Sequence, residues 1–86
     1  MSLNIVIIGV GEVGFNVAKY LSKEDHAITV IDINHKKCVR VQNTIDAKVI
    51  EGDGTSQRLL SDINMQNVDY VLALTRIDEV NLVASQ

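Results

Sequence analysis

Ile5-Val6-Ile7-Ile8-Gly9-Val10-Gly11-Glu12-Val13-Gly14 decides how this chain is read. A β-branched run flows directly into G-x-G-x-x-G, and a helical pattern begins on the far side. Strand, glycine loop, helix is the order that a dinucleotide-binding fingerprint requires. Gly9 allows the tight turn off the strand, and Gly11 lets a pyrophosphate approach the backbone with no Cβ in the way. Gly14 lets the helix pack closely on the strand. Phosphates placed there meet backbone N–H groups and the positive end of the helix dipole. The competing reading is a tight strand-to-helix turn that holds no ligand.

Outward from that stretch, the 86 residues amount to one small domain, residues 1–86. A complete doubly wound sheet usually needs more chain. With 47% apolar and 22% charged residues the composition is globular. A formal net charge of −3 offers no basic surface for nucleic acid or anionic lipid. Gly9, Gly11 and Glu12 break the only long apolar stretch, so nothing approaches the roughly 20 residues that span a bilayer. There is no basic leader with a cleavage site, so no export is expected. The single cysteine fits a reducing cytoplasm. All five glycines fall in two places, 9–14 and 52–54, where the backbone is expected to come close to something.

The first strand, about Asn4 to Ile8, is apolar at consecutive positions, the mark of a strand buried on both faces in a parallel sheet. A helix is predicted from Glu12 to Lys23, with Val13, Val17 and Leu21 on its inward stripe and Gly14 and Ala18 flanking it. Phe15 falls off that stripe, and a large aromatic on the outer side points to a protein contact. The second strand, Ala27 to Ile31, ends at Asp32. Asn34 is a plausible N-cap for a second helix over His35 to Asn43. A third strand, Ala47 to Ile50, leads to Glu51-Gly52-Asp53-Gly54-Thr55. A short helix, Ser56 to Asp62, turns Leu59, Leu60 and Ile63 inward. The fourth strand, Asp69 to Leu74, is followed by a last helix that starts near Asp78. The alternation implies a Rossmann-like α/β fold: a parallel sheet with right-handed crossovers and helices on both faces, truncated after the fourth strand and its helix. With nothing beyond that helix to pair with it, Tyr70-Val71-Leu72-Ala73-Leu74 is expected to form a bare edge that drives self-association.

Asp32 stands 18 residues after Gly14, at the carboxyl end of the second strand. The fingerprint wants an acid there to accept from the ribose hydroxyls, and a 2′-phosphate would face its carboxylate. The next residues, Ile33, Asn34 and His35, supply no arginine; Ile33 is counted with the site. The alternative is a strand-end carboxylate that caps the second helix. Glu12 and Val13 join the site through the backbone of the glycine loop. The Glu12 carboxylate suits the helix dipole but would repel a pyrophosphate, so it is expected to point to solvent. Gly52, Asp53, Gly54 and Thr55 lie on the same sheet edge. Asp53 can accept from an adenine amino group or organise its loop, and Thr55 reads equally well as a site residue or a helix N-cap. Thr75 ends the fourth strand across the crevice where strand order reverses.

Catalytic chemistry is hard to find. A dehydrogenase needs a proton donor or acceptor near the nicotinamide, yet His26 and His35 sit in the turn before the second strand and at the start of the second helix. Cys38 falls on the inner stripe of that helix and reads as core. One cysteine and two scattered histidines give no metal-ligand spacing.

Ile7-Ile8-Gly9-Val10-Gly11-Glu12-Val13-Gly14, Val30-Ile31-Asp32, Glu51-Gly52-Asp53-Gly54-Thr55 and Thr75-Arg76-Ile77-Asp78-Glu79-Val80-Asn81 together resemble one family, the N-terminal domain of TrkA-type potassium-uptake proteins, also called the RCK or KTN domain. The glycine loop is shared with many Rossmann proteins; the last two segments are more specific. The resemblance implies that Gly9, Gly11 and Gly14 hold phosphates and Asp32 the ribose. Asp53 and Thr55 would lie near the adenosine and Thr75 near the rest of the ligand. It further implies a regulatory subunit that binds NAD(H) or ATP/ADP, assembles as dimers and rings on the cytoplasmic face of the membrane, and gates a potassium transporter without catalysing a reaction. The second reading is the coenzyme domain of an NAD-dependent oxidoreductase without its substrate domain. The second glycine loop favours the first.

Overall fold

A computed structural model describes residues 2–54, 56–62 and 67–74. The elements are β1 (Asn4–Ile8), α1 (Glu12–Ser22), β2 (Ala27–Asp32), α2 (His35–Thr44), β3 (Lys48–Glu51), α3 (Gln57–Asp62) and β4 (Tyr70–Ala73). The strands form one parallel sheet in the order β3-β2-β1-β4. The Rossmann-like expectation holds, with boundaries shifted by a residue or two. The last helix lies outside the described residues.

Register explains why β1 can be apolar at every position. Ile5 and Ile7 stand opposite Ile28 and Val30 of β2 on one side, and opposite Tyr70 and Leu72 of β4 on the other. Side chains alternate between faces along a strand, so these residues share a face. Phe15 and Ala18 of α1, Val41 of α2 and Ile45 just past it complete the core on that face. Val6 and Ile31 belong to the opposite face, and both are buried. The chain leaving β3 must cross to the far edge of the sheet to form β4. A right-handed crossover carries α3 over the face opposite α1 and α2. Gly54, just before α3, accordingly lies against the side chain of Ile8, where a Cβ would stand 2.4 Å from Ile8 Cγ2.

The inward face of α1 differs from the predicted stripe. Gly14, Phe15 and Ala18 are buried, Val17 and Leu21 pack partly against the core, and Val13 is exposed. Gly14 must face the strand because it alone permits the close approach, and this rotates the buried arc to 14, 15 and 18. Phe15 therefore lies in the core.

The amino ends of the strands are tied together separately. The Leu3 N–H donates to His26 Nδ1 at 3.0 Å, and the Asn4 N–H donates to Asp69 Oδ2 at 2.7 Å. Asn4 Nδ2 donates to the Asn67 carbonyl at 2.8 Å. On the far side of the sheet, β4 leaves Tyr70 and Val71 exposed among the described residues.

The tightest contact is between Gly14 and the end of β1: a Cβ on Gly14 would sit 2.1 Å from the Gly9 carbonyl oxygen. Gly14→Ala should therefore force helix and strand apart and cost about 1–3 kcal/mol by overpacking. Gly52→Ala is the control, since its Cβ would meet the Leu59 side chain at ordinary van der Waals distances, 3.5 Å to Cδ2 and 3.9 Å to Cδ1. Urea denaturation of the two variants should show a clear loss for the first and little for the second.

Candidate functional site

The loop after β1 is shaped by Gly9, which adopts φ 97°, a left-handed conformation that other residues rarely tolerate. Its N–H donates to the Ile31 carbonyl at 2.8 Å, extending the β1–β2 pairing one residue beyond the strand. Val10 then turns into the core, where it is buried. Gly11 is the N-cap of α1 and supplies no side-chain cap. The amino end of this helix thus faces the loop with backbone alone, the arrangement that suits an anion.

Asp32 joins this loop to the next one. Its Oδ2 accepts the Val10 N–H and its Oδ1 the Asn34 N–H, both at 2.8 Å. Its carbonyl accepts the Gly52 N–H at 2.9 Å, and the Cys38 thiol at 3.3 Å. One residue thereby connects the ends of β1, β2 and β3. Capping of α2 falls to Asn34, whose side chain accepts the Lys37 N–H at 3.1 Å, as expected of that residue. Each carboxylate oxygen of Asp32 keeps a lone pair after its backbone bond, so a pair of ribose hydroxyls still has acceptors.

The three loops enclose a cleft of about 190 Å³ at the carboxyl ends of the strands. Ile8, Gly9, Ile31, Asp32 and Ile33 line one side and Gly52, Asp53 and Gly54 the other. Ligand pockets for drug-sized molecules run to roughly 300 Å³ or more, so this cleft is smaller than one that would enclose a whole ligand of that size. Ile33 is 75% exposed, an aliphatic side chain left in water at the cleft's lip. Ser56 Oγ accepts the Leu59 N–H at 3.3 Å and so caps the start of α3.

The field in the cleft is negative near Asp32. Asp32 and Glu51 are opposite each other in the β2–β3 register. Burial first, and then these two carboxylates, push the Cys38 thiol up from its ordinary value. Cys38 thus stays neutral beneath the cleft. The stability tied to the neutral thiol is present in full below the ordinary thiol range and is lost as pH rises through the elevated value. Glu51 is also held by His35, Nδ1 to Oε1 at 2.6 Å, on the exposed rim. His26 bonds to Leu3 at the amino ends of the strands, the opposite end of the sheet from the cleft.

Of the site residues read from the sequence, Gly9, Asp32, Ile33, Gly52, Asp53 and Gly54 come together in the cleft. Gly11, Glu12, Val13 and Gly14 form the adjoining turn into α1. Thr55 and Thr75 lie outside the described residues. Ile8 and Ile31 were not singled out as site residues; as strand-end apolar positions beside Gly9 and Asp32, they form the apolar part of the lining.

The sequence profile of the TrkA-N domain matches residues 5–86. Among curated proteins, the chain is 36% identical over 80 residues to a Trk system potassium uptake protein TrkA homolog from Pyrococcus abyssi, covering 93% of this chain and 35% of that protein. It is 42% identical over 82 residues to a Trk system potassium uptake protein trkA homolog 1 from Methanosarcina mazei, covering 95% of this chain and 20% of that protein. With the Trk system potassium uptake protein TrkA of Halomonas elongata it shares 31% identity over 84 residues, 98% of this chain and 18% of that one. The chain thus spans between about a fifth and a third of the length of these relatives.

Loss of the Asp32 carboxylate should cost stability even without ligand. Asp32→Ala strands the buried Val10 N–H, at about 1–3 kcal/mol, whereas Asp32→Asn keeps one acceptor and should lose less. Chemical denaturation in ligand-free buffer measures both. Equal stability of all three proteins would show that the carboxylate does not hold the loops together.

Proposed function

This chain belongs to the TrkA-N domain family, and on that premise we propose that it is the nucleotide-sensing domain of a regulatory subunit in a potassium-uptake system. The carrying observation is the convergence of Asp32 with two glycine loops on one cleft. The ligand is NAD(H) or ATP/ADP. Its adenosine enters the cleft, with Ile33 against the base, Asp53 within reach of the adenine amino group and Asp32 accepting from the ribose. Its phosphates run over Gly9, Gly11 and Gly14 toward the amino end of α1, met by the backbone of Glu12 and Val13. Such a ligand supplies charge and contacts for a conformational switch, and the domain does not turn it over.

The partner is a membrane potassium transporter subunit, and the site of action is the cytoplasmic face of the membrane. No helix among the described residues is long and apolar enough to cross a bilayer, which agrees with a peripheral role. The domain works as a homo-oligomer, a dimer or larger. Ligands that differ beyond the adenosine act as a switch only through different affinities for different arrangements of the crevice loops.

NADH should bind more tightly than NADPH, because a 2′-phosphate would meet the Asp32 carboxylate beside the ribose. Calorimetry with the two cofactors checks this, and Asp32→Ala should weaken NADH binding by about 1–3 kcal/mol. Equal affinities would defeat the ribose assignment. For the regulatory role, potassium flux through a reconstituted transporter should differ among ATP, ADP, NAD and NADH. Flux indifferent to all four would refute it.

A further inference from the structure

Glu12 creates a problem for an anion site, and the structure contains an answer. A carboxylate in the first turn of α1 favours the helix but stands where phosphates would run. Its Oε1 accepts from Arg40 Nη1 of α2 at 3.0 Å. The Arg40 guanidinium also lies over the ring of Phe15, 3.8 Å from the centroid. Phe15 is buried and fixed in the core, so its ring is a rigid platform. Arginine suits this place, since its planar group stacks on an aromatic face while its edge donates to a carboxylate. Measured as stability, such an exposed pair is worth little: the Glu12 side chain is 73% exposed and that of Arg40 50%. Its value lies in where it holds a negative charge.

We propose that Arg40 is a positioning residue for phosphate binding: stacked on Phe15, it neutralises the Glu12 carboxylate and holds it toward α2. It touches no ligand and acts through Glu12. The proposal rests on the nucleotide reading above. It implies that the benefit of Arg40 depends on the ligand's phosphates and disappears when Glu12 carries no charge.

The test is calorimetric titration of the chain with adenosine and with ADP, for the wild type, Arg40→Ala, Glu12→Gln and the double variant. Removing Arg40 frees one negative charge near the phosphates, which should weaken ADP binding about threefold to tenfold at low salt. Adenosine binding should not change. Glu12→Gln should bind ADP at least as well as wild type, and the double variant should match Glu12→Gln within about twofold, the cycle isolating the coupling. Arg40→Lys, which keeps the cation but not the planar group that stacks on Phe15, should bind ADP with an affinity between those of the wild type and Arg40→Ala. An ADP loss that persists in the double variant would overturn the proposal by showing that Arg40 meets the phosphate itself or holds the fold. So would an equal loss for adenosine, no loss in Arg40→Ala, or an Arg40→Lys affinity as low as that of Arg40→Ala. A wild-type chain that binds neither ligand would instead overturn the nucleotide reading, and this proposal with it.

Discussion

The contact between Gly14 and the carbonyl of Gly9 constrains everything around the cleft. A Cβ at position 14 would come within 2.1 Å of that oxygen, so only glycine lets α1 begin so close to the end of β1. From that approach follow the left-handed turn at Gly9, the burial of Val10 and the rotation of α1 that carries Phe15 into the core. Had the helix started farther out, the Val10 N–H would not reach Asp32 and the loops after β1 and β2 would part.

Asp32 then does two jobs with one carboxylate. Its bonds to the Val10 and Asn34 N–H groups hold two loops in register, and it lines the cleft as well. A charged acceptor for backbone donors is worth more than a neutral one, which suits a residue that must be rigid before a ligand arrives. In the proposed site the same carboxylate makes the ribose end negative. At the start of α1 the N-cap is a glycine without a side chain, and the acidic side chain of Glu12 is paired with Arg40. The proposed site is thus divided electrically between a ribose end and a phosphate end.

Most of this fold was legible because its signals are local. Consecutive β-branched residues at 5–8 announced a strand buried on both faces, and the spacing from Gly14 to Asp32 announced the second strand's end. A stripe centred on Val13, Val17 and Leu21 leaves Phe15 outside; centring it on Gly14, the position that must touch the strand, brings 15 and 18 inward. Contacts between distant residues left no trace in the pattern. Arg40 meets Glu12 across 28 positions of sequence, and the Val10 N–H reaches Asp32 across 22; neither separation carries a periodicity. The ribose assignment of Asp32 came from motif spacing, which does not reveal that the same carboxylate also holds the loops.

The proposed adenine nucleotide site at the carboxyl ends of the strands can be tested by the amide nuclear magnetic resonance spectrum of the labelled chain during titration with ADP. Saturable shifts are expected at Gly9, Gly11, Glu12, Ile33, Gly52 and Gly54, and none at the amino ends of the strands. A second hollow of about 230 Å³ lies there, lined in part by Asn4, Ala27, Thr29 and Asn67. Shifts confined to those residues, or a spectrum that does not change, would contradict it.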